Sequence, residues 1–129
     1  MEQAKRAWIY CRIDAPEDLH GALKRQRQQL MDYAEQMGFE VAGSSQDQAS
    51  GLNMNRPGLN EVTEAARAGR LDVLIVRDIS RVGRDPSQTM EYLEQLSRMG
   101  IQTCSPMEGV LDFTFQKVIR DALSHMEMK

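Results

Sequence analysis

The sequence predicts an open α/β fold, with a mainly parallel sheet of four to five strands and helices on both faces. Short apolar runs alternate with longer amphipathic stretches, and several of those stretches stop at a glycine. The strongest run, Leu71-Asp72-Val73-Leu74-Ile75-Val76, is apolar almost throughout, as a strand covered on both faces must be. Strands and helices alternating at these lengths call for right-handed crossovers, and hence for parallel pairing.

Taken in order, Ala7 to Ile13 (AWIYCRI) reads as a first, buried strand. After a turn around Ala15-Pro16-Glu17-Asp18, Leu19 to Met37 places Leu23, Leu30, Ala34 and Met37 on one helical face, and Gly38 ends it. Phe39 to Gly43 is a second strand, followed by a long polar loop from Ser44 to Gly58. Leu59, Val62, Ala65 and Ala66 keep helical spacing up to Gly69. The run from Leu71 to Val76 should then sit centrally in the sheet. Asp85-Pro86 starts the next helix, with Asp as N-cap and Pro at the first helical position, and Met90, Leu93, Leu96 and Met99 form its apolar stripe before Gly100. Ile101 to Ser105 reads as a fourth strand and Glu108 to Leu111 as a short fifth. Phe115, Val118, Ile119, Leu123 and Met126 make the face of a last amphipathic helix.

A chain of 129 residues is long enough for one sizeable core and leaves no room for a second folded unit, so residues 1–129 are expected to form a single domain. The net charge of -3 is the wrong sign for holding DNA by bulk electrostatics, so any contact with nucleic acid has to be local. The longest early apolar run, Ala7 to Cys11, is too short for a signal-peptide core or a membrane span, which makes a cytoplasmic protein without a membrane partner the expectation. Cys11 and Cys104 lie in apolar segments without ligand spacing and read as core thiols, while His20 and His125 read as surface residues. Neither a GxxxxGK[ST] loop nor a GxGxxG turn occurs, so nucleotide-driven and dinucleotide chemistry are disfavoured and no cofactor is required.

Open parallel sheets bind ligands at the carboxyl ends of their strands, and those ends lead into the loops carrying Arg12 and Asp14, Asp47 to Arg56, and Asp78 to Arg84. Arg12, Arg56, Arg81 and Arg84 can therefore converge, and planar guanidinium forks suit the oxygens of a phosphodiester. Taken singly, each of these arginines is an ordinary solvated loop residue. Their shared place at strand ends is what points to phosphoryl transfer.

Several ordered motifs resemble the serine recombinases of the resolvase/invertase type. Tyr10-Cys11-Arg12-Ile13 is similar to that family's first-strand signature, and Leu23 with Gln26 to the start of its first helix. Asp47-Gln48-Ala49-Ser50-Gly51 resembles its D-x-x-SG loop, followed by Arg56-Pro57-Gly58-Leu59. Asp72 through Val76, then Ser80-Arg81-Val82-Gly83-Arg84-Asp85, resembles the family's strand running into a D/S-R-x-x-R turn. The resemblance spans nearly the whole chain. It implies a resolvase-like three-layer α/β catalytic domain and attack of a serine on a DNA backbone phosphate, with energy conserved in a 5′-phosphoserine linkage and neither metal nor nucleotide needed. It further implies that Arg12, Arg81 and Arg84 cradle the scissile phosphate, that Asp47 and Arg56 support the site, and that Gln26 and Ser80 are polar residues behind it.

Two departures modify that expectation. The family's nucleophilic serine falls two residues after the first arginine, where this chain has Asp14. A carboxylate among arginines neutralises them and repels an incoming phosphate, so cleavage is expected to be impaired or absent. An aspartyl-phosphate route is chemically conceivable, but acyl phosphates hydrolyse readily. The last helical pattern also stops at Lys129, whereas the family typically continues through a longer interface helix into a DNA-binding region.

Three readings follow: a site-specific recombinase domain weakened by Asp14; a non-catalytic oligomerisation or regulatory module pairing as a homo-dimer or higher oligomer through the last helix; and a divalent-ion site built from Asp14, Asp47 and Asp78.

Overall fold

The computed structural model describes residues 3–14 and 20–111. Its elements are β1 (Arg6–Ile13), α1 (Ala22–Gln36), β2 (Glu40–Gln48), α2 (Pro57–Arg67), β3 (Val73–Ile75), a 3-10 turn (Ile79–Arg81), α3 (Pro86–Arg98), β4 (Gln102–Ser105) and β5 (Gly109–Leu111). They build one five-stranded sheet in the order β2-β1-β3-β4-β5. The first four strands of that order pair in parallel, and β5 returns antiparallel to β4. The expected class, strand number and mainly parallel pairing are those observed. The last helical pattern, from Phe115 to Met126, lies outside the described residues, as does His125.

The period-2 alternation of the strands divides the core into two layers. Ala7, Ile9 and Cys11 of β1, with Val73 and Ile75 of β3, pack in one buried cluster with Leu23, Leu30 and Ala34 of α1. Tyr10 and Leu74 point the other way, into a cluster with Leu59 and Val62 of α2 and Leu93 and Leu96 of α3. Helices therefore cover both faces. Cys11 and Cys104 are buried free thiols, and burial pushes the Cys11 thiol up to about 11. At pH 8 the folded protein is expected to leave both cysteines unmodified by iodoacetamide, whereas the unfolded chain reacts at both; mass spectrometry before and after denaturation checks this.

The helix starts and stops follow local chemistry. The Asp85 carboxylate accepts from the Gln88 amide at 2.9 Å with Pro86 in the first turn, the N-cap arrangement that the sequence predicts. Gly38, Gly69 and Gly100, the residues after α1, α2 and α3, have φ of +76°, +68° and +84°, a left-handed conformation that side chains disfavour.

The carboxyl half of β2 differs from expectation, and Met37 and Met99, read as apolar-face residues, are exposed. The stretch read as a polar loop from Ser44 to Gly58 begins as strand, because β2 runs to Gln48 and pairs with β1 through Arg12↔Asp47 and Ile13↔Gln48. Its polar side chains find partners inside. Ser45 Oγ accepts from Trp8 Nε1 at 3.0 Å and donates to the Gly58 carbonyl at 2.7 Å, so an apolar pattern was never needed to keep the strand in place.

At the amino end of the sheet, Arg6 donates to Asp72 from its amide at 2.8 Å and from Nε and Nη2 at 3.2 Å each. The hydrogen bond from the Arg6 side chain, followed by that from its backbone, holds the Asp72 carboxyl below its usual range. A depressed folded value contributes stability that is present above the unfolded pKa and is lost as pH falls through the folded one. Denaturation midpoints of the protein and its Asp72→Asn variant are accordingly expected to differ above the unfolded carboxyl pKa and to converge as pH falls through the depressed folded one.

Candidate active site

The carboxyl ends of β1, β2 and β3 deliver three loops to one place, with Arg12 at its centre. Strand alternation puts Trp8, Tyr10 and Arg12 on the same face of β1, so the residue two beyond Tyr10 continues the inward row as a charged side chain. Arg12 is 1% exposed. Such a burial is tolerable only where the donors are satisfied. Arg12 Nε donates to the Arg81 carbonyl at 2.9 Å, Nη2 to the Ser80 carbonyl at 2.6 Å and Nη1 to the Ala49 carbonyl at 2.9 Å. Nη1 also donates to Asp14 Oδ1. Arg81 Nη1 returns a bond to the Arg12 carbonyl at 2.9 Å, and Gln26 Oε1 accepts from the Arg12 amide at 3.1 Å. Arg12 thus ties the β2–α2 loop to the 3-10 turn after β3.

Asp14 sits beyond this tie. Its Oδ2 lies 2.5 Å from Arg84 Nη2 while its Oδ1 takes Arg12, so one carboxylate bridges two guanidinium groups. Partial desolvation pushes the Asp14 carboxyl up. The hydrogen bond and charge of Arg12, the charge of Arg84 and a bond from the Gly51 backbone outweigh this and hold it below the usual carboxylate range. Gly51 makes the approach possible: a Cβ there would fall 2.7 Å from Arg12 Nη2 and 2.8 Å from Arg84 Cγ. The Gly51 carbonyl also accepts from the Arg84 amide at 3.0 Å. Arg84 is the open member of the group, with 55% of its side chain exposed.

Behind the arginines lies a buried polar network. Asp47 Oδ2 accepts from the Tyr10 hydroxyl at 2.6 Å and from the Leu59 amide at 3.0 Å, and its Oδ1 accepts from the Gly58 amide at 2.8 Å. Those two amides belong to the first turn of α2, where donors lack helical partners, so Asp47 fixes that helix on the sheet. Burial, and then the bond to Asp47, push the Tyr10 phenol far up. Arg56 is 1% exposed, lies 5.7 Å over the Tyr10 ring and donates from Nη2 to the Val82 carbonyl. Its Nε and Nη1 have no hydrogen-bond partner among the described residues. Desolvation lowers its pKa, partly offset by nearby Tyr10. Ser80 Oγ donates to Asp78 Oδ1, and Arg81 Nε stands 3.5 Å from Asp78 Oδ2.

The structure therefore brings Arg12, Asp14, Arg81 and Arg84 together, and sets Asp47, Arg56 and Gln26 behind them. It corrects the divalent-ion reading. Asp47 is committed to Tyr10 and α2, Asp78 to Ser80 and Arg81, and Asp14 to Arg12 and Arg84, and no group of three or more acidic, His or Cys residues is arranged to hold a metal among the described residues. Sequence reading gave no role to Tyr10 or Gly51, although the alternation along β1 was a usable signal for the first.

Residues 7–127 match the protein family described as Resolvase, N terminal domain. The chain belongs to the resolvase family. Among solved structures it is similar to the C-terminal catalytic domain of ISC1926 TnpA, an IS607-like serine recombinase, at 30% identity over 92% of this chain and 78% of that one, with a TM-score of 0.73. The N-terminal catalytic domain of TP901-1 integrase shares its fold, with a TM-score of 0.76, 22% identity and coverage of 96% and 97%. So does a resolvase family site-specific recombinase from Streptococcus pneumoniae, with a TM-score of 0.72, 17% identity and coverage of 96% and 88%. This resolvase-family domain thus shares the fold of serine recombinase catalytic domains. Among its described residues no helix is long and apolar enough to cross a membrane.

Proposed function

We propose that this chain is the single catalytic-type domain of a site-specific DNA recombinase acting in the cytoplasm, whose arginine group is built for a backbone phosphate and whose own strand cleavage is silenced or strongly reduced by Asp14. The observation that carries this reading is the carboxylate of Asp14 bridging Arg12 and Arg84, with Arg81 beside them. Guanidinium groups meeting at the carboxyl ends of parallel strands are suited to a phosphodiester and to the greater charge of its transition state. Family membership supplies the reaction class: a side-chain oxygen displaces a deoxyribose oxygen from phosphorus, and the free hydroxyl later reverses the step. At the nucleophile position Asp14 offers no hydroxyl, and it spends the positive charge that the phosphate would use.

Incubation of the full-length protein with supercoiled plasmid, followed by denaturation, is expected to show no covalent protein on DNA 5′ ends. Covalent protein on those ends with Asp14 unchanged would overturn the silencing. In an Asp14→Ser background, deletion of the Arg84 side chain is expected to weaken binding to a backbone phosphate with little change in stability, because that side chain is largely exposed. Unaltered binding would count against the phosphate reading.

The same neutralised site favours a second reading, in which the domain pairs with an active recombinase or with its own copy through the apolar positions of the last helical pattern, Phe115 to Met126, and tunes assembly. Sedimentation at high concentration, alone and mixed with a serine-bearing relative, tests it; a strictly monomeric, non-binding species would remove it.

A further inference from the structure

The β4–β5 hairpin reaches the arginine-bearing turn through the Glu108 side chain. Glu108 Oε1 accepts from the Ile79 amide at 3.2 Å. Its other oxygen accepts from the Ser105 hydroxyl, and Ser105 Oγ accepts in turn from the Glu108 amide at 2.8 Å. Ser105 is fully buried on β4, so these two bonds between Ser105 and Glu108 fasten the Glu108 carboxylate to the sheet. The hairpin could close without sending that carboxylate outward, since its strands already pair through Ser105↔Gly109 and Cys104↔Val110.

The recipient turn needs what Glu108 offers. The N-cap of the turn, Asp78, makes no side-chain cap bond to it and is instead occupied by Ser80 and Arg81. Arg12 grips the other side of the same turn through the Ser80 and Arg81 carbonyls. Ile79, Ser80 and Arg81 are thus held from two directions, by a carboxylate on the first amide and by a guanidinium on the later carbonyls.

We propose that Glu108 is a positioning residue for the phosphate site, fixing the 3-10 turn so that Arg81 and Arg84 face Arg12. The proposal rests on the phosphodiester reading above for its functional meaning, but its structural core is testable without DNA. In Glu108→Ala, exchange of the Ile79 amide with solvent is expected to accelerate roughly fivefold, and the Nε–H resonances of Arg12 and Arg81 to shift. Glu108→Gln, which keeps an acceptor of the same reach, is expected to restore both. Unchanged exchange at Leu74 in β3 separates this local effect from unfolding, and if the alanine variant does not fold, the glutamine variant decides by retaining or losing the parent resonances.

A further arm measures binding of a short DNA duplex by Asp14→Ser with and without Glu108→Ala, where weakening of roughly threefold is expected. Arg12 and Arg81 resonances unmoved in Glu108→Ala overturn the positioning role. If instead those resonances move while Asp14→Ser binds no DNA, the phosphodiester reading fails and the geometric role of Glu108 stands.

Discussion

Asp14→Ser is expected to open the arginine group and place a hydroxyl where the carboxylate stood, so that covalent attachment to DNA rises above that of the parent domain. Two effects act together. The bridge from Asp14 to Arg12 and Arg84 is lost, leaving Arg84 free to meet a phosphate, and the like charge facing that phosphate disappears. Nucleophile replacements in enzymes that use a side-chain oxygen change rates by several orders of magnitude, so covalent capture on a supercoiled substrate should rise by at least about a hundredfold. Gel shift of denatured DNA and mass spectrometry of the attached peptide give the measurement, and attachment must map to residue 14. A variant that binds DNA more tightly yet never becomes attached would overturn the expectation that Asp14 is what blocks attachment.

The second large effect concerns the fold beneath the site. Asp47→Ala should cost about 3–5 kcal/mol, because it strands the Tyr10 hydroxyl and the Gly58 and Leu59 amides, which the carboxylate satisfies together. For a domain of this size the loss corresponds to a fall of about 11–18 °C in Tm by calorimetry. Tyr10→Phe removes only one of the three partners and should cost far less. If the two variants melt together, Asp47 does not hold α2 in the manner described.

Much of this was legible in the sequence because the governing physics is local. Asp85-Pro86 announces α3 through cap chemistry, and the glycines after the helices announce their ends. The continuous apolar run around Val73 to Ile75 announces a central strand, and strand-end placement announces the arginine group. Less legible was whatever depends on partners distant in the chain. The carboxyl half of β2 is polar, and it is strand because Ser45 and Asp47 meet Trp8, Tyr10 and α2, which no window around residue 45 contains. Arg12 looks in sequence like a surface fork ready for a ligand, whereas the fold turns its guanidinium onto the carbonyls of Ala49, Ser80 and Arg81. Glu108 carried no signal at all, since its partner Ile79 lies on another loop.

The left-handed glycines after α1, α2 and α3 have a practical corollary. All three open turns that enter the sheet at its amino side, the reverse side from Asp14 and Arg84, and none has a neighbouring atom within 4 Å of where a side chain would begin. A fluorophore or surface tether attached at exposed Arg70, next to Gly69, would therefore ride on the back of the molecule, and immobilised protein could present its guanidinium side to DNA in a known orientation.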